Sequence, residues 1–465
     1  MRIVQTFWTA GRDPLEYSFG WSRPEYNLMS WTLSCLSLCE HYDEVALYTD
    51  EPGKHVLIDL LHLPYSEVNV VYDKTLCLPQ HWAYAKIMTY SMQTKPFLHV
   101  DGDIFLPQPL SKDVINDALI AQNKEIGTEY YKQMMDKILL EATIKLPEHI
   151  EKALVEEFIA SYNMGVFGGN DLSFIHAYCE EAQNLYESNK LLCLNGNFNL
   201  LFEQILFANK VKREHQSVNT IFPQLFNDNG YTAVDFCLLS DYKHKEYFHI
   251  LGGHKKNQKI TESLAETLIV QYPDYYKLIK TIFWGKYPRG LISGTICVPL
   301  MTVDIPITSY IDFLNEAEEE WCNVSWEELL EIELRYIEGK TMSLYEDIQN
   351  SNPAVCLNPY LKYFDVPTAW GAESLHRMRG RFSCNPDAPI ERIAVIPTLS
   401  FKTRKEYVLY ELEYQILELL KKHPMRISEL VDTLTSKSEE MRTLWHTEIR
   451  ILLNEGILIP FIINN

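Results

Sequence analysis

Residues Phe97 to Leu110 read FLHVDGDIFLPQPL and set two carboxylates, Asp101 and Asp103, one residue apart. The apolar run Phe97–Val100 before them and Ile104–Phe105 after them predict a buried strand whose end presents both acids. Two hard oxygen ligands with a glycine between them suit a divalent cation shared with phosphates, because the glycine lets other groups come close. Taken alone, an Asp-x-Asp pair is equally a solvated strand end or a helix cap. Further on, Phe248 to Lys256 reads FHILGGHKK, in which His249, Gly252 and Lys255 fit a His-x-x-Gly-x-x-Lys spacing. An imidazole is a further ligand for Mn²⁺, Gly252 and Gly253 let the backbone approach a pyrophosphate, and Lys255 brings a mobile positive charge to the same phosphates. Between the two motifs, ASYNMGVFGGN (Ala160 to Asn170) reads as a short apolar strand, an amide side chain and a Gly-Gly turn.

The elements that must position these residues alternate between strand and helix patterns through about residue 260, as in an α/β domain. Strands are expected at Arg2–Trp8, Glu44–Thr49 and Val68–Tyr72. Helices are expected at Tyr26–His41, Val56–Leu63 and Trp82–Gln93, the last leading into the Asp101 strand. Ligands of such sheets sit beyond the carboxyl ends of the strands, which puts Phe7, Trp8, Asp50 and Asp73 around the cleft of Asp101. Trp8 and Tyr26 offer rings that stack on a nucleobase or sugar face, or pack as core or lid aromatics. Ala118–Gln122 is expected to return as a strand, and Glu129–Phe158 to form a charged helical insertion over the site. In NLLFEQILF, Leu201, Phe202, Ile205 and Leu206 mark a buried helix face, on which Glu203 needs a partner or a function. His99 is expected to alternate away from the aspartates as a core histidine, with His254 a bystander.

This order and this chemistry resemble the GT-A glycosyltransferases, in particular the retaining, glycogenin-like (family 8-type) enzymes that use nucleotide-sugar donors. The resemblance covers about the first 260 residues. It implies that Asp101, Asp103 and His249 hold a metal, Mn²⁺ or Mg²⁺. It implies that Asp101, Gly252, Lys255, Lys86, Thr6 and Trp8 meet the donor. The family's Asn-(Ser/Ala)-Gly strand maps onto Asn163–Phe167 and its Asp-Gln pair onto Glu203–Gln204, so Asn163, Glu203 and Gln204 would line the sugar pocket. Two positions depart from the family pattern: Lys256–Asn257 stands where Pro-Trp usually follows the lysine, and Glu203 replaces an aspartate. The implied fold class is α/β, a GT-A (Rossmann-like) nucleotide-sugar-binding domain over 1–261. The implied function is metal-dependent sugar transfer from a nucleotide-diphosphate donor, a UDP-sugar, with retention. Glu203 stays open as nucleophile, charge stabiliser or helix residue. The alternative is a catalytically silent donor-binding or scaffolding protein. A hydrolase would need carboxylates facing each other about 5–10 Å apart, whereas Asp101 and Asp103 share one strand end.

Composition agrees and excludes little. The chain has 465 residues, 46% hydrophobic and 23% charged, as folded multidomain proteins do, and a net charge of −21. That balance repels polyphosphate backbones and argues against nucleic acid as main ligand. No window reaches the ~20 apolar residues of a membrane span, no secretion signal is recognisable, and the ten cysteines form no Cys-x-x-Cys, so a cytoplasmic protein is expected. After 261 a mostly helical, loop-rich middle region is expected to 400, with a helix at Glu262–Trp284, a boundary loop at Gly285–Gly290, helices at Asn315–Trp321 and Ser325–Ile337, and an irregular stretch at Ala354–Pro397. Over 401–465, helices at Glu406–Lys422, Ile427–Leu434 and Ser438–Asn454 followed by a strand at Ile457–Ile463 give the order of a winged helix-turn-helix. From Lys405 to Asn465 seven basic residues face ten acidic ones, the reverse of a DNA reader. Docking of a peptide or protein, an acceptor included, or homodimerisation is the expectation for this module, with a structural cap on the preceding region as the alternative.

Overall fold

Short apolar runs that stop at Asp, Gly or Pro give the N-terminal unit its sheet. In the computed structural model the described residues are 1–127, 129–141, 144–227, 230, 237–239, 242–283, 308–345, 348–366, 392–398, 403–435 and 439–461. They divide into two compact units, the first comprising Met1–Leu268 and Tyr272–Phe283, the second Ile269–Gln271 and Trp284–Asn465. The first unit is mixed α/β. Strands β1 (Arg2–Phe7), β2 (Val45–Thr49), β3 (Glu67–Val70), β4 (Phe97–Val100), β6 (Ile120–Gly127), β7 (Ile159–Gly169) and β8 (Asn219–Asn227) form one sheet in the order β3-β2-β1-β4-β7-β6-β8. β1, β2, β3 and β4 run parallel, β7 lies antiparallel to both β4 and β6, and β8 runs parallel to β6. The central strands β2 and β4 are buried throughout, as continuous apolar runs require. Beyond the end of β4, β5 (Ile104–Phe105) pairs antiparallel with β9 (Phe248–His249), and this ribbon joins the two sequence motifs.

Two glycines let β7 lie between its neighbours. A Cβ at Gly168 (φ +158°) would come within 2.1 Å of Phe97 O, and one at Gly169 (φ +136°) within 2.1 Å of Ala118 O. The Gly-Gly pair is therefore the end of a strand and not the expected turn. Helix α1 (Pro24–Cys39) begins with proline at its first position, is buried along almost its whole length, and packs against β5 and β2. The expected helix at Glu262–Trp284 is two, Gln258–Gln271 and Pro273–Phe283, divided where Pro273 starts a new first turn. Charged helices occupy Tyr130–Glu141 and Glu148–Leu154 of the expected insertion.

The second unit keeps the expected helices and adds strands in the stretch expected to be irregular, Ala354–Pro397. Among the described residues, six strands accompany the helices Thr308–Cys322 and Trp326–Tyr345. β10 (Ala354–Leu357) lies between β14 (Met425–Arg426) and β15 (Leu458–Phe461), and β12 (Arg392–Thr398) lies between β11 (Lys362–Asp365) and β13 (Thr403–Leu409). The segment 401–465 thus shares both sheets, and a core containing Val355, Ala394, Leu409, Ile416 and Leu452, with chain that precedes residue 400. Glu406–Leu409 is strand rather than the start of a helix, because it pairs along β12 and buries Tyr407, Val408 and Leu409 in succession. The helix starts at Glu411, followed by helices Ile427–Leu434 and Glu439–Glu455. Gly456 (φ +76°) ends the last of these in a left-handed turn, with its N–H donating to Leu453 O (3.1 Å) and that of Ile457 to Leu452 O (3.0 Å). The expected loop Gly285–Gly290, most of the stretch between 366 and 392, and residues 462–465 lie outside the described residues. No helix among the described residues is long and apolar enough to cross a membrane.

Glu413 closes the first turn of the helix Glu411–Leu420, accepting from the Tyr410 backbone N–H (2.6 Å) and from the Tyr407 hydroxyl. Burial, reinforced by the charges of Glu448 and Glu455, pushes its carboxyl up to about 7 despite those two donors. A carboxyl raised on folding contributes stability that is complete below its ordinary value near 4.5 and is lost as pH rises through 7. Glu413→Gln is therefore expected to stabilise the second unit at pH 8 by on the order of 1–3 kcal/mol and to do nothing favourable at pH 4.5, as read by calorimetric melting at the two pH values.

Candidate active site

Asp101 and Asp103 follow β4 directly, and their turn is fixed from below and from the side. The Asp101 N–H donates to Gly165 O on β7 (2.8 Å), the Ile104 N–H donates back to Asp101 O (3.1 Å), and the Ile250 N–H donates to Asp103 O (3.0 Å). From α1, Ser30 Oγ donates to Gly102 O (2.7 Å) and Ser34 Oγ to Asp101 O (3.4 Å). Trp31 packs so close that a Cβ at Gly102 would lie 2.5 Å from its ring, so only glycine fits between the two acids.

Two lysines hold the carboxylates. Lys86, buried on the helix Ala83–Ser91, places Nζ 3.0 and 3.2 Å from the two Asp101 oxygens, 2.7 Å from Glu203 Oε1 and 3.1 Å from Met164 O. Burial disfavours its ammonium, but Asp101 and Glu203 outweigh that and hold its pKa above the usual range. Glu203 sits in the π-helical turn Leu200–Ile205, 1% exposed, and its carboxyl is raised by burial against the opposing pull of Lys86. Lys255 Nζ lies 2.5 Å from Asp103 Oδ2 and 5.8 Å from the centre of the Trp21 ring. Burial pushes the Asp103 carboxyl up, but Lys255 and His249 overcome it and hold it well below the usual carboxylate range.

His249 completes the cluster. Its Nε2 is 3.5 Å from Asp103 Oδ1, and one ligand atom from each of Asp101, Asp103 and His249 lies within 4.8 Å of the others. Gln122 on β6 sets the imidazole: its Oε1 accepts from His249 Nδ1 (2.7 Å) and from the Tyr247 hydroxyl (2.6 Å), while its Nε2 donates to Asn123 Oδ1 (3.0 Å). With a cation bound, the proton would stay on Nδ1 facing Gln122 and Nε2 would give its lone pair to the ion, the arrangement that metal-ligating histidines use. Gly165 leaves room for this, since a Cβ there would meet His249 Cε1 at 2.6 Å and Gln122 Oε1 at 2.8 Å. These three residues can hold one divalent cation.

The cluster opens into a cavity of about 580 Å³ lined by Thr6, Trp8, Lys86, Asp101, Asp103, Gly252 and Lys255, with Trp21, Trp31 and Trp82 among its walls. Trp82 is half-exposed. Trp8 uses its indole N–H on Asp73 O (2.8 Å). Thr6 Oγ1 hydrogen-bonds Thr89 Oγ1 (2.6 Å) and His99 Nε2 (3.0 Å). Gly252 (φ +42°) starts the short 3₁₀ turn that carries Lys255, with open space beside it. Asn163 is buried, its Oδ1 accepting from the Gly165 N–H (3.0 Å) and its Nδ2 directed to Glu125 (3.4 Å). Asn163, Glu203 and Gln204 are not among the cavity's lining residues, and Glu203 reaches the cluster through Lys86.

Several expectations change here. For Tyr26 the core alternative holds, since it is fully buried and does not line the cavity, whereas the two acids placed around the cleft are corrected. Asp50 caps the turn after β2 and accepts from Thr9 N–H (2.9 Å) and Thr9 Oγ1 (2.7 Å), and Asp73 caps its own turn by accepting from the Thr75 N–H (2.6 Å). Neither acid lines the cleft. His99 is a core histidine as expected, yet its Nδ1 lies 3.6 Å from Asp101 Oδ1, because the chain turns at Asp101 instead of continuing the alternation of the strand. Sequence reasoning missed Gln122, Tyr247 and Trp31, which act on the motifs from elsewhere in the chain and carry no local signal, and it gave Gly165 a place in the Asn163–Phe167 strand but not its role beside His249.

Lys86 is the charge on which Asp101 and Glu203 both depend. Lys86→Met is expected to cost about 3–5 kcal/mol in urea unfolding at pH 7, with part of the loss recovered at pH 5 as the stranded carboxyls take up protons.

No curated protein is similar to this chain in sequence. Among solved structures the chain is similar to the glycosyltransferase GlyE of Streptococcus pneumoniae TIGR4 at 13% identity and a TM-score of 0.28, covering 62% of this chain and 64% of that one. It is also similar to the galactosyltransferase LgtC in complex with donor and acceptor sugar analogs, at 11% identity and a TM-score of 0.26, covering 44% of this chain and 71% of that one. The chain thus spans less than two thirds of the first of these. The DUF6734 family, described as a family of unknown function, matches residues 1–282, a span that contains the whole seven-stranded sheet and the cleft, and the chain belongs to that family.

Proposed function

We propose that the chain is a metal-dependent glycosyltransferase that takes a sugar from a nucleotide-diphosphate donor, a UDP-sugar, and passes it to an acceptor with retention of configuration. The observation that carries this reading is the meeting of Asp101, Asp103 and a tautomer-fixed His249 in one cleft with a cationic Lys255. The donor set of two carboxylates and one imidazole suits Mn²⁺ or Mg²⁺. Bound there, the cation supplies Lewis-acid neutralisation of the departing diphosphate.

The chain's own residues do the rest. Lys255, on a turn with open space around Gly252 and Gly253, has the freedom to leave Asp103 and pair with a phosphate. Lys86 cannot move in that way, because Asp101, Glu203 and Met164 O hold it, and so it fixes the angle at which Asp101 enters the site. In this reading Glu203 acts on the site through Lys86, whose charge it shares with Asp101, and Asn163 acts through the Gly165 N–H that it holds. The walls formed by Trp8, Trp21, Trp31 and Trp82 limit water in the cleft and offer faces for a base or sugar ring. In the second unit, the succession of the helices Glu411–Leu420, Ile427–Leu434 and Glu439–Glu455 with β15 supports a winged-helix-like module that docks a protein or peptide, an acceptor among them.

The direct test is thermal shift and titration calorimetry with UDP, GDP and their sugars, with and without Mn²⁺. Wild type at ~100 times its dissociation constant is expected to gain about 2.7 kcal/mol with one nucleotide and only with the metal. Asp103→Asn is expected to abolish the shift, and absence of any metal-dependent nucleotide binding in the wild type would refute the reading. Gly165→Ala, which drives His249 out of place while leaving every ligand intact, is expected to weaken Mn²⁺ binding about 10- to 100-fold.

A further inference from the structure

Helix α1 turns one face toward the Asp101–Asp103 turn. Ser34 and Ser30 hold the carbonyls of Asp101 and Gly102, and Trp31 packs on Gly102. Asn27 lies one helical turn before Trp31 on the same face, and it lines the cleft. The chain just before α1 is tied to the other end of the site, where the Ser22 N–H donates to Lys255 O (3.1 Å). Asn27 is thereby bracketed between the carboxylate turn and Lys255.

Its side chain is 2% exposed, and the amide nitrogen has no hydrogen-bond partner. Buried amides are nearly always paired, because an unmade bond leaves the full desolvation cost in the folded state. A leucine or methionine in this helix would have filled the space without that cost. An unpaired donor that is buried against a ligand cleft has a use when the ligand brings the acceptor.

We propose that the Asn27 side-chain amide donates a hydrogen bond to the diphosphate of the donor, beside Lys255, and so positions the phosphates against the Asp101–Asp103 turn. This rests on the nucleotide-sugar reading above. A neutral donor fits the place, since a carboxylate there would oppose the phosphates and a second ammonium would compete with the cation for Asp103.

The experiment is titration calorimetry of the full chain with UDP and with inorganic pyrophosphate, each in saturating Mn²⁺, for wild type, Asn27→Leu and Asn27→Asp. Melting of the ligand-free proteins is measured alongside. Asn27→Leu is expected to weaken both ligands about 10- to 100-fold, to bind Mn²⁺ alone like wild type, and to melt at or above wild type because it removes an unpaired amide. Asn27→Asp keeps the shape and is expected to bind both phosphate ligands still more weakly. Unchanged affinity for UDP and pyrophosphate in both variants would overturn the proposal, as would a lower melting temperature in both, which would make Asn27 a structural residue. A wild type that binds neither ligand with Mn²⁺ would overturn the donor reading itself, and this proposal with it.

Discussion

Desolvated carboxylates set the terms for the first unit. Three of them, Asp101, Asp103 and Glu203, gather at the end of one strand, and each is expensive to bury without a counter-charge. Two lysines supply the compensation in different ways. Lys86 is itself buried and shared between Asp101 and Glu203, so that the helix Ala83–Ser91, the strand β4 and the π-helical turn Leu200–Ile205 must meet at one point for any of the charges to be tolerated. Lys255 sits on an open glycine turn and answers Asp103 alone. One carboxylate is thereby locked and the other is left with a counter-ion that can be exchanged, which is the division of labour a cation site needs.

The packing around these charges is close enough to exclude ordinary side chains. Gly102 and Gly165 lie against Trp31 and His249 at distances that a Cβ would violate, and Gly168 and Gly169 admit β7 between β4 and β6. The same closeness puts Gln122 within reach of His249 across the sheet, where one amide oxygen decides which imidazole nitrogen keeps its proton. Geometry and protonation are therefore set by the same contacts, and the polar chemistry of the cleft is inseparable from the fit of the sheet.

The second unit is organised by long-range pairing. β10 separates β14 from β15, both distant from it in sequence, whereas β11, β12 and β13 lie side by side in chain order. Glu406–Leu409 shows why a local pattern misleads there. With the helix that follows it reads as one amphipathic segment, and only the partner β12 turns the first residues into strand. The capping contact of Glu413 to Tyr410 then marks where the helix can begin.

Local spacing was enough to single out Asp101, Asp103, His249, Gly252 and Lys255, because residues one to six apart on a strand end or a glycine turn are brought together by the backbone itself. The alternation of apolar runs was likewise enough for an α/β first unit, and for most of its strands and helices to within a few residues. Nothing in the chain's local pattern tied Lys86 to Glu203, 117 positions later, or Gln122 to His249, and nothing marked Tyr26 as core while Trp21, Trp31 and Asn27 face the cleft. Those pairings are decided only when the sheet closes and the helices pack on it, since burial, counter-charge and hydrogen-bond satisfaction are properties of neighbours in space. The sequence by itself determined which acidic, basic and imidazole groups are available in two short motifs; tertiary packing decided which of them meet, which are locked by a counter-charge, and which stand on an open turn, because each of these depends on what lies beside it in space.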